Sequence, residues 1–130
     1  MSDRPVLLLL DTSAILDYTR QSIHVGEVMS EVTNDGGMVG LPVLCLVEAK
    51  RASANSELLD LLVAHQATTV LPVAADTWEA LAVTYDTVGR LDVAAAVLAA
   101  TETNCFILTA QPQRYARLQD GGPIIPIPPP

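Results

Sequence analysis

The chain has 130 residues, a net charge of −8 and a sequence pI of about 4.4; half of it is hydrophobic and 17% is charged. That length suits one domain, and with one Trp, one Phe and three Tyr the core must be aliphatic. The acidity argues against a general nucleic-acid binder, since phosphate contacts need Lys and Arg, but leaves room for a local basic rim of Arg20, Lys50, Arg51, Arg90, Arg114 and Arg117. The absence of a long apolar span or a signal-peptide pattern predicts a cytoplasmic protein with no membrane partner.

The first predicted element is Val6 to Leu10, five aliphatic residues without a break. Such a run reads as a strand buried on both faces, as in a parallel sheet. Asp11 would then stand at its carboxyl end, where open α/β sheets bind ligands. Thr12 or Ser13 is placed to cap a helix running to about Arg20. Val25, Val28, Met29 and Val32 have helical spacing, and Asn34-Asp35-Gly36-Gly37 ends that helix. Met38 to Leu41 reads as a short strand, after which Pro42 opens a helix from Val43 to about Ala54. Asn55 or Ser56 caps the next helix, whose buried stripe is predicted to be Leu58, Leu61 and Leu62.

Thr68 to Val73 reads as a third strand. In the helix starting near Asp76, the spacing of Trp78, Leu81, Ala82 and Tyr85 predicts a core-facing stripe. Gly89 breaks the pattern, and Arg90-Leu91-Asp92 leads into VAAAVLAA, a helix apolar all round and therefore buried. Cys105 to Leu108 is the fourth strand, Gln113 to Leu118 a last helical turn, and Ile124 to Ile127 an edge strand, since prolines confine it there. Five of the last eight residues are proline, which favours an extended tail. Cys45 and Cys105 lie in apolar runs and read as buried free thiols. His24 and His65 have no motif around them and read as solvent-facing. The alternation of strands and helices predicts a three-layer α/β/α sandwich with a mostly parallel sheet of four to five strands. The domain boundaries are set at 1–122 for one domain and 123–130 for a Pro-rich tail.

Three carboxylates stand out from their surroundings. Asp11 ends the first strand, Glu48 is the only charged residue between Met38 and Ala49, and Asp92 opens the Ala-rich helix. Singly, each has an ordinary explanation: a turn or cap for Asp11, an i,i+3 pair with Arg51 for Glu48, and the helix dipole for Asp92. Together they would repel unless a cation or protons intervened. A hard divalent ion, Mg²⁺ or Mn²⁺, offers that compensation, and a metal so held activates water and stabilises charge building on a phosphodiester.

Three motifs, LLLDTSAIL, LPVLCLVEAKR and GRLDVAAAVLAAT followed by FILTA, cover nearly the whole chain in order and spacing. In these the sequence resembles PIN-domain ribonucleases, most of all the compact VapC-type toxins of bacterial toxin–antitoxin pairs. The resemblance implies a mostly parallel sheet flanked by helices, and metal-dependent hydrolysis of RNA that leaves a 5′-phosphate. It implies Asp11, Glu48 and Asp92 as catalytic metal ligands for Mg²⁺ or Mn²⁺, with Thr12, Ser13 and Thr109 supporting them. It also implies an RNA substrate, a small antitoxin partner and a homodimer. Arg20, Arg51, Arg90 and Arg114 are candidates for holding the RNA backbone. One position departs from the pattern: the family commonly carries an aspartate where this chain has Gln111, which offers a carbonyl oxygen but no charge. Asp17 is a further acid near the site, read as a solvated helix residue. The alternative reading is a degenerate, non-catalytic PIN domain that binds RNA or a protein. A phosphoacceptor receiver domain fits poorly, since no lysine follows Lys50.

Overall fold

The computed structural model describes residues 4–52 and 55–129. Val6–Leu10 forms β1; Leu8, Leu9 and Leu10 are buried on both faces as predicted, but Val6 is half-buried and Leu7 is exposed, so the run is buried only in its last three residues. Its parallel neighbours are β2 (Met38–Pro42) on one side and β4 (Phe106–Thr109) on the other. Outside these lie β3 (Thr68–Leu71) and β5 (Ile124–Pro126), giving a five-stranded sheet in the order β3-β2-β1-β4-β5. Every strand pair is parallel. The chain therefore winds outward from β1 to β3 and then returns to the opposite side of β1. The reversal puts the switch point of the sheet between the carboxyl ends of β1 and β4, the crevice position at which such sheets bind ligands.

Helices cover both faces, completing the three-layer α/β/α sandwich. They are α1 (Thr12–Thr19), α2 (Ile23–Asn34), α3 (Val43–Ala52), α4 (Ser56–Ala64), α5 (Trp78–Val88) and α6 (Leu91–Thr103). The small side chains of α6 let it lie across β1, β2 and β4, and Val93, Ala94, Ala95, Ala96 and Ala100 are buried there. Gly40 serves the same close packing in β2, since a Cβ at that position would stand 2.6 Å from Leu9 Cδ2 and 2.7 Å from Leu71 Cδ1. Among the described residues no helix is long and apolar enough to cross a membrane.

Several predicted details change. The cap of α1 is Asp11, whose carboxylate accepts from the Ala14 amide; Thr12 and Ser13 are already inside the first turn. Pro42 closes β2 instead of opening α3, and the predicted end of α3 at Ala54 lies outside the described residues. Asn55 caps α4 through the Leu58 amide. The buried pair in α4 is Leu59 and Leu62, while Leu61 is exposed, because a run as apolar as LLDLLV does not define one face. Cys45 is buried but Cys105 only partly so, with both thiols free. His24 and His65 face solvent as expected.

The larger correction concerns α5. No residue of this helix is buried, and Trp78 and Tyr85 are 67% and 44% exposed. The main packing partner of the helix is α6, and Leu81, Thr84 and Val88 are the partly buried stripe. The aromatic stripe is turned away from that contact. At the other end of the chain, β5 and the buried Ile127 carry the fold into the segment assigned to the tail, and the Ile127 amide donates to Thr109 O at 2.7 Å. Pro126 is tolerated because β5 is an edge strand. Pro130 lies outside the described residues.

Because Trp78 is the only tryptophan, its placement is directly measurable. Its fluorescence is expected to be solvent-like and readily quenched by acrylamide. Trp78→Ala is expected to change unfolding free energy by no more than about 0.5 kcal/mol, as for an exposed side chain. A loss of about 3 kcal/mol in urea unfolding, typical of a core aromatic, would contradict the exposed position.

Candidate active site

The end of β1 carries the sharpest chemical contrast in the molecule: three buried leucines followed by a buried aspartate, 3% exposed. An ionised carboxylate is costly to bury without donors. Asp11 has three. Oδ1 accepts from the Ser13 hydroxyl at 2.7 Å and the Ala14 amide at 3.0 Å, and Oδ2 accepts from the Tyr115 hydroxyl at 2.7 Å. Its own amide donates to Leu108 O at 3.3 Å, tying the end of β1 to β4.

Asp92 enters the same region from the first turn of α6 and is 4% exposed. Thr12, next to Asp11, donates from Oγ1 to Asp92 Oδ2 at 2.6 Å across 80 positions of sequence. The Val93 amide donates to Oδ1 at 3.0 Å. Arg90 grips both oxygens, from Nε to Oδ1 and from Nη2 to Oδ2, each at 3.1 Å. Burial, the largest influence, pushes the Asp92 pKa up, but the bonds from Arg90 and Thr12, the Arg90 charge and the Val93 amide together hold it below the ordinary carboxylate value.

A hydroxyl chain links the two sides of the crevice. Ser13 Oγ has one proton, which goes to Asp11, so in its 3.3 Å contact with Thr109 Oγ1 the threonine is the donor. Ser13 Oγ also accepts from the Ala110 amide at 2.9 Å, and Thr109 Oγ1 accepts from the Gln111 amide at 3.0 Å. The supporting residues Thr12, Ser13 and Thr109 are thus gathered with Asp11 and Asp92. Gln111 joins through its backbone.

Glu48 is not gathered in the same way. It sits on α3, half-buried, and both its oxygens accept from Arg51 Nη1 at 3.0 and 3.1 Å, the pairing expected of neighbours at i,i+3. Its charge nevertheless acts on Arg90, helping Asp92 to raise the pKa of that guanidinium. Asp17 is half-buried and paired with Arg20 at 3.7 Å; burial raises its pKa, against the charge of Arg20 and with that of Asp11. Of the candidate RNA-binding arginines, Arg20, Arg51 and Arg90 are each paired with an acid, and Arg114 lies in the 3₁₀ turn Pro112–Tyr115.

Two residues at this centre escaped sequence reading. Tyr115 is fully buried and reaches Asp11 from 104 positions away; the one available signal was an aromatic residue in an otherwise polar stretch. Cys45, on α3, donates from Sγ to Asp92 O at 3.4 Å. Burial, then the charge of Asp11, pushes its pKa far up, so it stays a neutral thiol.

A carboxylate accepts roughly four hydrogen bonds. Asp92 receives four, one from Thr12, one from Val93 and two from Arg90, while Asp11 receives three. Among the described residues no three His, Cys, Asp or Glu side chains gather closely enough to hold a metal ion. In kind, however, the donors fit. Mg²⁺ or Mn²⁺ takes hard oxygens and needs only one or two carboxylates, with water completing its shell. Asp11 has an acceptor position open, and Asp92 gains two when Arg90 leaves.

No protein-family profile matches this chain, and no curated protein does. Among solved structures, the crystal structure of PAE2754 from Pyrobaculum aerophilum is similar in fold, with a TM-score of 0.63 and 17% identity over 95% of this chain and 91% of that one.

The Tyr115–Asp11 bond makes a pH-dependent prediction. Burial, then the charge of Asp11, pushes the phenol pKa far up, so folded Tyr115 keeps its proton where an unfolded tyrosine, at about 10, releases it. Its contribution to stability is therefore full below about pH 10 and is lost as pH rises beyond that. Tyr115→Phe is expected to cost about 1.5–3 kcal/mol at neutral pH, as for a bond to a charged group. In urea unfolding the gap between variant and wild type should narrow above about pH 10. A constant gap would show that this phenol is not what titrates.

Proposed function

We propose that this chain is a metal-dependent endoribonuclease, with Asp11 and Asp92 as its paired metal-holding carboxylates and with Glu48, held by Arg51 on α3 in this structure, as the third acid once it leaves that pair. One observation carries the reading: two buried carboxylates, on elements far apart in sequence, converge at the switch point of an all-parallel sheet. A fold alone does not call for this, since an apolar pair would fill the space at lower cost. The sequence resemblance to PIN-domain nucleases supplies the reaction class. Mg²⁺ or Mn²⁺ bound there would supply a low-pKa water and charge stabilisation at phosphorus.

The residues of the chain divide the remaining work. Ser13, Ala14 and Tyr115 fix the orientation of Asp11. Thr12 and Val93 do the same for Asp92. The Tyr115 phenol keeps its proton at neutral pH and stays a donor to Oδ2. Arg20, Arg51 and Arg114 lie on elements beside the crevice and are the cations available for RNA phosphates. On this reading the protein acts in the cytoplasm, and a small neutralising antitoxin and a second copy of the chain are its protein partners.

A second reading is a PIN-like domain that binds without cutting. It is favoured by the neutral Gln111 and by the four filled acceptor positions of Asp92. Asp11→Asn separates the two. Asparagine also caps helices well, and its carbonyl can accept from Ser13 and Ala14 while its amide faces Tyr115, so the fold is expected to survive. Mn²⁺-dependent cleavage of a mixed RNA substrate is expected from wild type and to fall at least about a hundredfold in the variant. Wild-type protein that leaves the RNA intact would favour the non-catalytic domain. Equal cleavage by both proteins would remove Asp11 from the mechanism.

A further inference from the structure

Of the four bonds that fill Asp92, two are fixed. The Val93 donor is a backbone amide in the first turn of α6 and cannot leave without unwinding it, and the Thr12 donor is a hydroxyl at the start of α1 held in place by its burial. The other two come from Arg90, which differs in every respect. Its side chain is 41% exposed. Its backbone is extended, at φ −141° and ψ 134°, between the left-handed Gly89 and α6, and its side chain caps nothing. The Arg90 carbonyl accepts from the Ala94 amide, a bond that does not depend on where the guanidinium lies. Rotation about the Arg90 side chain therefore frees one acceptor position on each oxygen of Asp92 and breaks no backbone bond.

The guanidinium also stands where a bound cation would be useful. It neutralises a buried carboxylate and lies within the field of Glu48 as well. Its planar fork matches both carboxylate oxygens, so while it is seated no acceptor position remains.

We propose that Arg90 is an internal competitor for the divalent cation, seated on Asp92 at rest and displaced when a metal binds. The inference rests on the metal-dependent reading above. The apparent metal affinity is then the intrinsic affinity reduced by the fraction of molecules in which Arg90 has swung away.

The test is Mn²⁺ binding to the full chain at about pH 8, followed by loss of the free-ion magnetic-resonance signal. Wild type, Arg90→Gln, Arg90→Lys and Asp11→Asn are compared, with circular dichroism to verify folding. Arg90→Gln is expected to bind Mn²⁺ about tenfold more tightly than wild type, and added Mn²⁺ should raise its Tm more than it raises that of wild type. Arg90→Lys keeps the charge but loses the fork, and is expected to fall between the two. If Arg90→Gln does not fold, Arg90→Lys decides, and any tightening in it supports the exchange. Equal or weaker binding in the decisive variant, with Asp11-dependent binding by wild type, would overturn the competitor role and leave the nuclease reading standing. No Asp11-dependent Mn²⁺ uptake by any folded protein would overturn both.

Discussion

Two ionisable carboxylates have to be accommodated side by side in an aliphatic interior, and much of the architecture is arranged around that cost. Moving one such ion out of water costs several kcal/mol even after the surroundings relax. Asp11 and Asp92 are both almost fully buried, next to leucines and alanines. Their donors come from wherever the fold can supply them: the first turns of α1 and α6, the hydroxyls of Thr12 and Ser13, the phenol of Tyr115 and the guanidinium of Arg90. Each hydrogen bond to a charged group contributes on the order of 1.5–3 kcal/mol, so a set of them offsets the burial where a single bond would not. The same bonds tie the start of the chain to its last third. Among the described residues no buried side-chain polar atom lacks a partner, as a network this costly requires.

The sheet determines where the network can form. In a parallel sheet all strands end on the same side, so Asp11 after β1 and Thr109 at the end of β4 are brought together by topology. The return of the chain across β1 makes the junction between these two strands the switch point of the sheet. Helix α6 then enters this end of the sheet close enough for Asp92 to reach Thr12, and that closeness depends on its alanines. A bulkier helix would stand off from the sheet and leave Asp92 beyond the reach of Thr12. The Ala-rich composition of α6 and the position of its one buried acid are therefore a single feature.

This explains which parts of the molecule can be read from sequence and which cannot. The strand Val6–Leu10 and the buried Ala-rich α6 are placed as expected from composition, although the first two residues of the strand, Val6 and Leu7, are not buried. The grouping of Asp11, Glu48 and Asp92 comes from their apolar surroundings and the family resemblance; the structure places Asp11 and Asp92 on either side of Thr12 and leaves Glu48 on Arg51. Asp, Thr and Ser follow one another and each is a good cap, so the sequence leaves the cap of α1 open among them; only the bond to the Ala14 amide selects Asp11. The stripe on α5 was misassigned because helical spacing identifies an apolar face but not what covers it. Here α6 covers the neighbouring face and leaves Trp78 and Tyr85 to solvent. Tyr115 could not be found because its partner is distant in sequence and nothing local requires a buried phenol.

Charge balance at the crevice connects structure to chemistry. A chain of net charge −8 with seven basic residues has few cations to spare for a polyanion. Three of them, Arg20, Arg51 and Arg90, are already paired with Asp17, Glu48 and Asp92. The pairs differ in consequence. Arg20–Asp17 and Arg51–Glu48 are neighbours at i,i+3 with the arginine largely exposed, so they are worth little and are readily exchanged for a phosphate. Arg90–Asp92 has a fully buried carboxylate, and a cation must remain there whatever its source. The fold thus demands a positive charge at Asp92 and supplies one from a side chain that is itself half in solvent. A lysine would satisfy the charge but, lacking the planar fork, would not match both oxygens at once. Arginine closes the carboxylate completely, and this is why the identity of the residue at position 90, and not only its charge, governs how the acidic crevice meets any other cation.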